Sequence, residues 1–279
     1  MPKLRFGIAL FALVAASASC TALIDTKKEQ CSEDADCAAL GDAYGDAFAG
    51  SVCKESVCVK PEELAPLGCP VTPASDKPTV KLSFSVSFAA GVPDDPTPFE
   101  ISACKRLDST CKSPVGGPIH ADNGETIELE VPTGFQGFLQ VTNPDTVSSM
   151  VFLGQKVQKD TKFWDLSIPT PVDVKLLGIA TGGTKVEPSL GALVMIARDC
   201  DRNRLAGVVA SNSTGGTGYY FSAMAPDNTL MATTEEGAAG FVNVPIGSSI
   251  LGGTYNGRPL SPTSVESRAE WFSYAEVFQ

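Results

Sequence analysis

From Val80 to Phe88 the apolar residues Val80, Leu82, Phe84, Val86 and Phe88 alternate with Lys81, Ser83, Ser85 and Ser87. A period of two is that of a strand with one buried and one wet face, because successive side chains point to opposite sides. Shorter alternations follow at 99–103, 126–131 and 138–141, and the segment from Gly91 to Pro98 is turn chemistry. A helical period is not evident along this stretch. The chain has 26 glycines and 20 prolines among 279 residues, which together with its short apolar runs predicts many short strands joined by turns. The last aromatic-rich stretch, with Trp271, Phe272, Tyr274 and Phe278, reads as a closing strand.

Cysteine spacing sets the region ahead of Val80 apart. Residues 20–60 are acidic and carry Cys31, Cys37, Cys53 and Cys58. None of them forms the C-x2-C knuckle by which paired thiolates reach one zinc ion. Two disulfides stapling a segment too small for its own core are the expectation, with three connectivities open. The acids of Ser32–Asp36 read as a solvated loop rather than an ordered set of calcium ligands. Residues 61–78 form a linker, stiffened by Pro61, Pro66, Pro70, Pro73 and Pro78. Cys69, inside it, would tie the linker to a neighbouring domain. Cys104 and Cys111 are expected to bridge a loop or hairpin, and Cys200 completes the disulfide candidates.

The first nineteen residues have the order of an export signal. Lys3 and Arg5 precede an uncharged apolar run from Phe6 to Ala16, which is too short to span a bilayer as a mature helix. Ser17-Ala18-Ser19-Cys20 resembles a lipobox, which implies cleavage before Cys20 and lipidation of that cysteine. Ala16-Ser17-Ala18 also fits an ordinary cleavage site, which would release the chain without lipid. There are nine cysteines; acylating Cys20 leaves eight that can all pair, whereas an ordinary cut strands one thiol in an oxidising compartment. The expected location is therefore outside the cytoplasm, lipid-anchored to the bacterial cell envelope, with the outer membrane (periplasmic face or cell surface) as the expected site. A formal net charge of −11, which loss of Lys3 and Arg5 makes more negative, argues against nucleic acid as a partner and against a basic patch on anionic headgroups.

The two halves beyond the linker share a repeat. Gly124-x6-Val131-Pro132-Thr133-Gly134 matches Gly237-x6-Val244-Pro245-Ile246-Gly247, with Asp122 and Glu235 two residues before the first glycine. Each copy reads as turn, strand, proline-marked turn, strand. Around the second copy, Leu205-Ala206-Gly207-Val208, Thr234, Gly237, Phe241, Val244, Pro245 and Gly247 resemble the pattern of carboxypeptidase-regulatory-like domains. That resemblance implies a prealbumin-type, Ig-like β-sandwich. The first copy keeps Gly124, Val131, Pro132 and Gly134 but lacks the phenylalanine. The expected fold class is thus all-β: two tandem Ig-like, prealbumin-type sandwiches behind a small disulfide-rich segment. The expected boundaries are 1–19 signal, 20–60 stalk, 61–78 linker, 79–175 first sandwich and 176–279 second.

The chemistry expected of this chain is non-enzymatic. Domains of the resembled family are appendages without the zinc site of the carboxypeptidases, which needs two histidines; this chain has one, His120. His120 follows Gly116-Gly117-Pro118 in an apparent loop with no G-x-S-x-G elbow. Asp199-Cys200-Asp201-Arg202-Asn203 has acids at alternate positions, but Arg204 and Ala210 stand where a calcium loop needs glycine and glutamate. A polar turn enclosing a disulfide fits better. Asp94-Asp95 and Glu235-Glu236 read as turn residues rather than opposed catalytic carboxylates. Gly182-Gly183 and Gly215-Gly216 lack the lysine and helix of a phosphate loop. No metal and no cofactor is expected. The expected role is an interaction or structural module of the cell envelope, held to a membrane by its lipid, with a protein or glycan partner. The alternative is an accessory carbohydrate- or peptide-binding protein that presents Tyr219, Tyr220 and Phe221 to its ligand.

Overall fold

The computed structural model describes residues 31–33, 35–39, 51–54, 57–59, 68–223 and 225–279. The signal region, Cys20 and the first part of the linker lie outside the described residues. The chain divides into two compact units, 1–64 and 65–279.

In the first unit, strands β1 (Val52–Lys54) and β2 (Val57–Val59) form an antiparallel hairpin in which Cys53 stands opposite Cys58. Both cysteines bond back to one short segment, as Cys31–Cys53 and Cys37–Cys58. Cys37 lies on a helical turn at 35–39. The Asp36 carboxylate accepts from the backbone N–H of Ser32 and Glu33 and from the Ser32 hydroxyl, and these bonds hold it below the usual carboxylate range. Cystine is the packing element here: Cys31 and Cys37 are both buried. The sulfurs of Cys31, Cys37 and Cys58 lie within 4.8 Å of one another, but each is in a disulfide and has no thiolate to offer a metal.

In the second unit, eight strands make the first sandwich: β3 (Thr79–Phe88), β4 (Phe99–Lys105), β5 (Gly116–Ala121), β6 (Thr126–Pro132), β7 (Gly137–Thr142), β8 (Ser149–Phe152), β9 (Thr161–Lys162) and β10 (Leu166–Ile168). A helix, α1 (Pro171–Ala180), follows. Nine more strands make the second: β11 (Gly191–Arg198), β12 (Val208–Asn212), β13 (Thr217–Ser222), β14 (Ala225–Asp227), β15 (Ala238–Val244), β16 (Gly247–Tyr255), β17 (Arg258–Pro259), β18 (Thr263–Ser267) and β19 (Phe272–Phe278).

The two sandwiches repeat one pairing scheme. In the first, β3 pairs antiparallel with β6 and parallel with β10, while β7 runs antiparallel to both β4 and β8. In the second, β11 pairs antiparallel with β15 and parallel with β19, while β16 runs antiparallel to both β12 and β18. The sequence repeat falls on the equivalent strands β6 and β15. Gly124, Gly134, Gly237 and Gly247 all have positive φ, of 78°, 81°, 58° and 118°, the backbone region where a Cβ is disfavoured.

The sandwiches are not separate layers placed end to end. β19 pairs parallel with both β11 and β8, and so closes a nine-stranded sheet in the order β14-β13-β15-β11-β19-β8-β7-β4-β5. One face of this sheet carries Ile101, Leu139 and Val151 into a core with β3, β6 and β10. The opposite face carries Phe138, Met150, Leu193, Met195, Ala275 and Val277 into a core with β12, β16 and β18. The two small sheets therefore cover opposite faces of the large one. β11 is buried at every residue, because the second small sheet lies on one side and α1 with the end of the first sandwich on the other. This explains its unbroken apolar run, the pattern of a strand covered on both faces.

Helix α1 was not expected from the sequence, and it lies across the 175/176 boundary. Its start is well specified. Thr170 caps it, the Thr170 hydroxyl accepting from the Asp173 N–H while the Asp173 carboxylate accepts from the Thr170 N–H, and Pro171 occupies the first turn. Its apolar residues do not form one inward stripe, however: Leu177 is buried, but Val172, Leu176 and Ile179 are exposed. The helical period is consequently weak in the sequence.

Candidate functional site

On the helix side of the large sheet a cleft of about 340 Å³ opens between α1, the β9–β10 end of the first sandwich and the floor formed by β11, β13, β15 and β19. Floor residues alternate along each strand, so that Val194 and Ile196, Tyr219 and Phe221, and Phe272 and Tyr274 come to one side. Trp164 stands edge-on to Tyr274, with ring centroids 6.2 Å apart, and the Tyr274 hydroxyl donates to the carbonyl of Ser167. The rim is charged, with Asp165, Asp173, Glu236 and Arg204.

Tyr219 is the most enclosed of these groups, with 1% of its surface exposed. Its strand partner across the β13–β15 ladder is Gly240, and a Cβ there would collide with the tyrosine ring. The absent side chain lets the ring lie across the strand beside it. Trp164 Nε1 in the same cleft is buried with no hydrogen-bond partner among the described residues, and burial pushes the Tyr219 phenol upward. Burial does the same for Tyr274, helped by the nearby Tyr219 and Asp173.

Tyr219, Tyr220 and Phe221, read together from the sequence, are separated by the strand. Tyr219 and Phe221 line the cleft and meet edge-on, 5.4 Å between centroids at 64°. Tyr220 packs into the core on the opposite face, and its hydroxyl accepts from the Ala210 N–H. The three rings do not form one flat platform. Trp164, Tyr274 and Arg204 were missed, since they come from elements distant in sequence and no local signal joins them.

A second cluster lies where β19 meets the β11–β12 turn. Glu276, 1% exposed, faces Arg202 at 3.0 Å and Arg198 at 3.7 Å. Arg202 also stacks over Phe278 at 5.3 Å, and Arg198 over Trp164 at 5.4 Å. Burial pushes the Glu276 carboxyl up despite the two arginines. The turn at 199–203 is organised by Asp199, whose carboxylate accepts from the N–H groups of Asp201 and Asn203 and from the Asn203 amide. Those oxygens serve the turn itself. Cys200 in this turn is bonded to Cys69, and Cys104 is bonded to Cys111. His120 lies on β5, an edge strand of the large sheet, exposed and 3.9 Å from Glu100.

No protein-family model matches the chain, and no curated protein does. The sheet pairings define an all-β protein of two joined β-sandwiches behind a disulfide-stapled segment. Among solved structures, it is similar to a streptococcal ancillary pilin at 12% identity and a TM-score of 0.21, over 74% of this chain and 63% of that one. It is also similar to the shaft pilin SpaA from Lactobacillus rhamnosus GG (8% identity, TM-score 0.23, 72% and 96% covered). The minor pilin of Streptococcus agalactiae matches at 13% identity and a TM-score of 0.23, over 72% and 96%. Superposition this loose carries no argument about function.

Proposed function

We propose that this chain is an exported, lipid-tethered, non-enzymatic module of the bacterial cell envelope that presents its β-sandwiches to a partner. The observation that carries this reading is the cysteine pairing. Four disulfides use Cys31, Cys37, Cys53, Cys58, Cys69, Cys104, Cys111 and Cys200, which leaves Cys20 as the ninth. Disulfides persist in oxidising compartments, and the one remaining cysteine follows an apolar run with small residues before it. No helix of the described residues is long and apolar enough to cross a membrane, so on this reading attachment falls to the acyl chains. The resemblance of the second half to carboxypeptidase-regulatory-like domains agrees with a scaffold role, because those domains are appendages to catalytic ones.

Cys20→Ser tests the tether. It should abolish labelling by a clickable fatty acid and release the protein from the membrane fraction; labelling that persists overturns the anchor. The alternative of a sugar-binding surface is disfavoured by the placement of Tyr219 and Tyr220, since a stacking platform needs ring faces open to the sugar.

A further inference from the structure

We propose that the cleft over β11, β13 and β15 is a binding site for a small molecule with a flat apolar body and one uncharged or cationic hydrogen-bonding head, which meets the Tyr219 hydroxyl. This inference is independent of the lipid tether. Three observations support it. The cleft's volume of about 340 Å³ falls in the range of small-molecule sites and is small for a protein element. Its floor is apolar and aromatic, the kind of surface that gains by excluding water. On that floor the Tyr219 hydroxyl belongs to a side chain that is 1% exposed, and in the same cleft the buried Trp164 Nε1 has no hydrogen-bond partner among the described residues.

A buried polar group without a partner, here the Trp164 N–H, is costly to the folded protein, and a ligand head that bonds it beside Tyr219 relieves that cost. Gly240 makes the arrangement possible, since any side chain there would displace the ring. The rim then selects the head group. Asp165, Asp173 and Glu236 outnumber Arg204, and the Asp173 carboxylate is fixed in place by the Thr170 cap. An anion entering past three carboxylates is repelled, while a hydroxyl or an amine is admitted.

The test uses the full chain with its disulfides formed, exported as the Cys20→Ser variant so that no detergent competes for the probes. Ligand-observed NMR titrations compare naphthalene, 2-naphthol and 2-naphthoate. The expected order is 2-naphthol tightest and 2-naphthoate weakest. Tyr219→Phe keeps the ring over Gly240 and removes the hydroxyl alone; it should weaken 2-naphthol about tenfold and leave naphthalene nearly unchanged. Val194→Phe fills the floor and should abolish binding of both. If that variant does not fold, Leu176→Trp, on the exposed side of α1, narrows the mouth with the same expected loss. The proposal is overturned if 2-naphthol binds the occluded variant as well as the parent. It is equally overturned if Tyr219→Phe weakens naphthalene and 2-naphthol alike.

Discussion

Glu276 shows how much one position depends on its surroundings. In the sequence it is one acid in FSYAEVF near the end of the chain, in a stretch that reads as a strand. In the fold, β19 is central, and its carboxylate is taken out of water between Arg202 and Arg198. Burial raises its affinity for a proton above the ordinary value of 4.5, against the pull of the arginines. The folded protein therefore keeps a proton that the unfolded chain releases, and stability should fall as pH rises from 4.5 through the raised folded value. Glu276→Gln should flatten that slope in urea melts run across the mildly acid to neutral range. Asp36, Asp108, Asp160 and Asp227 act in the other direction and in a separate window. Hydrogen bonds lower them from 3.8, so what they contribute is lost only as pH falls below that value. A slope unchanged in Glu276→Gln would show that the carboxylate is charged throughout.

Among the elements, the strands were legible and the helix was not. The alternation from Val80 to Phe88 corresponds residue for residue to the buried face of β3, because one face of that strand is wet. Helix α1 has a clear start signal in Thr170-Pro171-Val172-Asp173, yet it covers the sheet through Leu177 and leaves Val172, Leu176 and Ile179 in solvent. Capping rather than an apolar stripe defines its beginning. Thr170→Ala should cost about 1 kcal/mol by chemical denaturation, and it should speed amide exchange in the first turn of α1 ahead of the strands. An effect confined to global stability, without early exchange in α1, would contradict that assignment. The repeat on β6 and β15 was legible for a related reason. Left-handed turns favour glycine, and Gly124 and Gly237, with φ of 78° and 58°, mark the same corner in both sandwiches.

For the whole molecule, the disulfides differ in reach. Cys69–Cys200 closes 131 residues and Cys104–Cys111 closes 7. By chain entropy the first restrains the unfolded state by about 5 kcal/mol and the second by about 2 kcal/mol, each as an upper value. Replacing Cys69 and Cys200 together with alanine should therefore lower Tm more than replacing Cys104 and Cys111, as read by calorimetry on both double variants. The reverse order would mean that packing of Cys104 in the second core outweighs loop length. The long bridge also ties the segment before β3 to the turn that carries Arg202, and so joins the linker to the region of the Glu276 cluster.

Local chemistry determined a good deal of this protein from sequence alone. Period-two alternation specified strands, glycines marked corners, and cysteine spacing pointed to disulfides. Such features depend on neighbours along the chain, so the chain displays them. Tertiary structure alone decided the rest. β19 joins two sandwiches into one sheet, Cys31 bonds Cys53 rather than Cys37, and Tyr219 and Phe221 face a cleft while Tyr220 faces a core. Each of these depends on which surfaces meet across many intervening residues. Burial of apolar area drives those meetings without direction, and only the completed packing gives them an address.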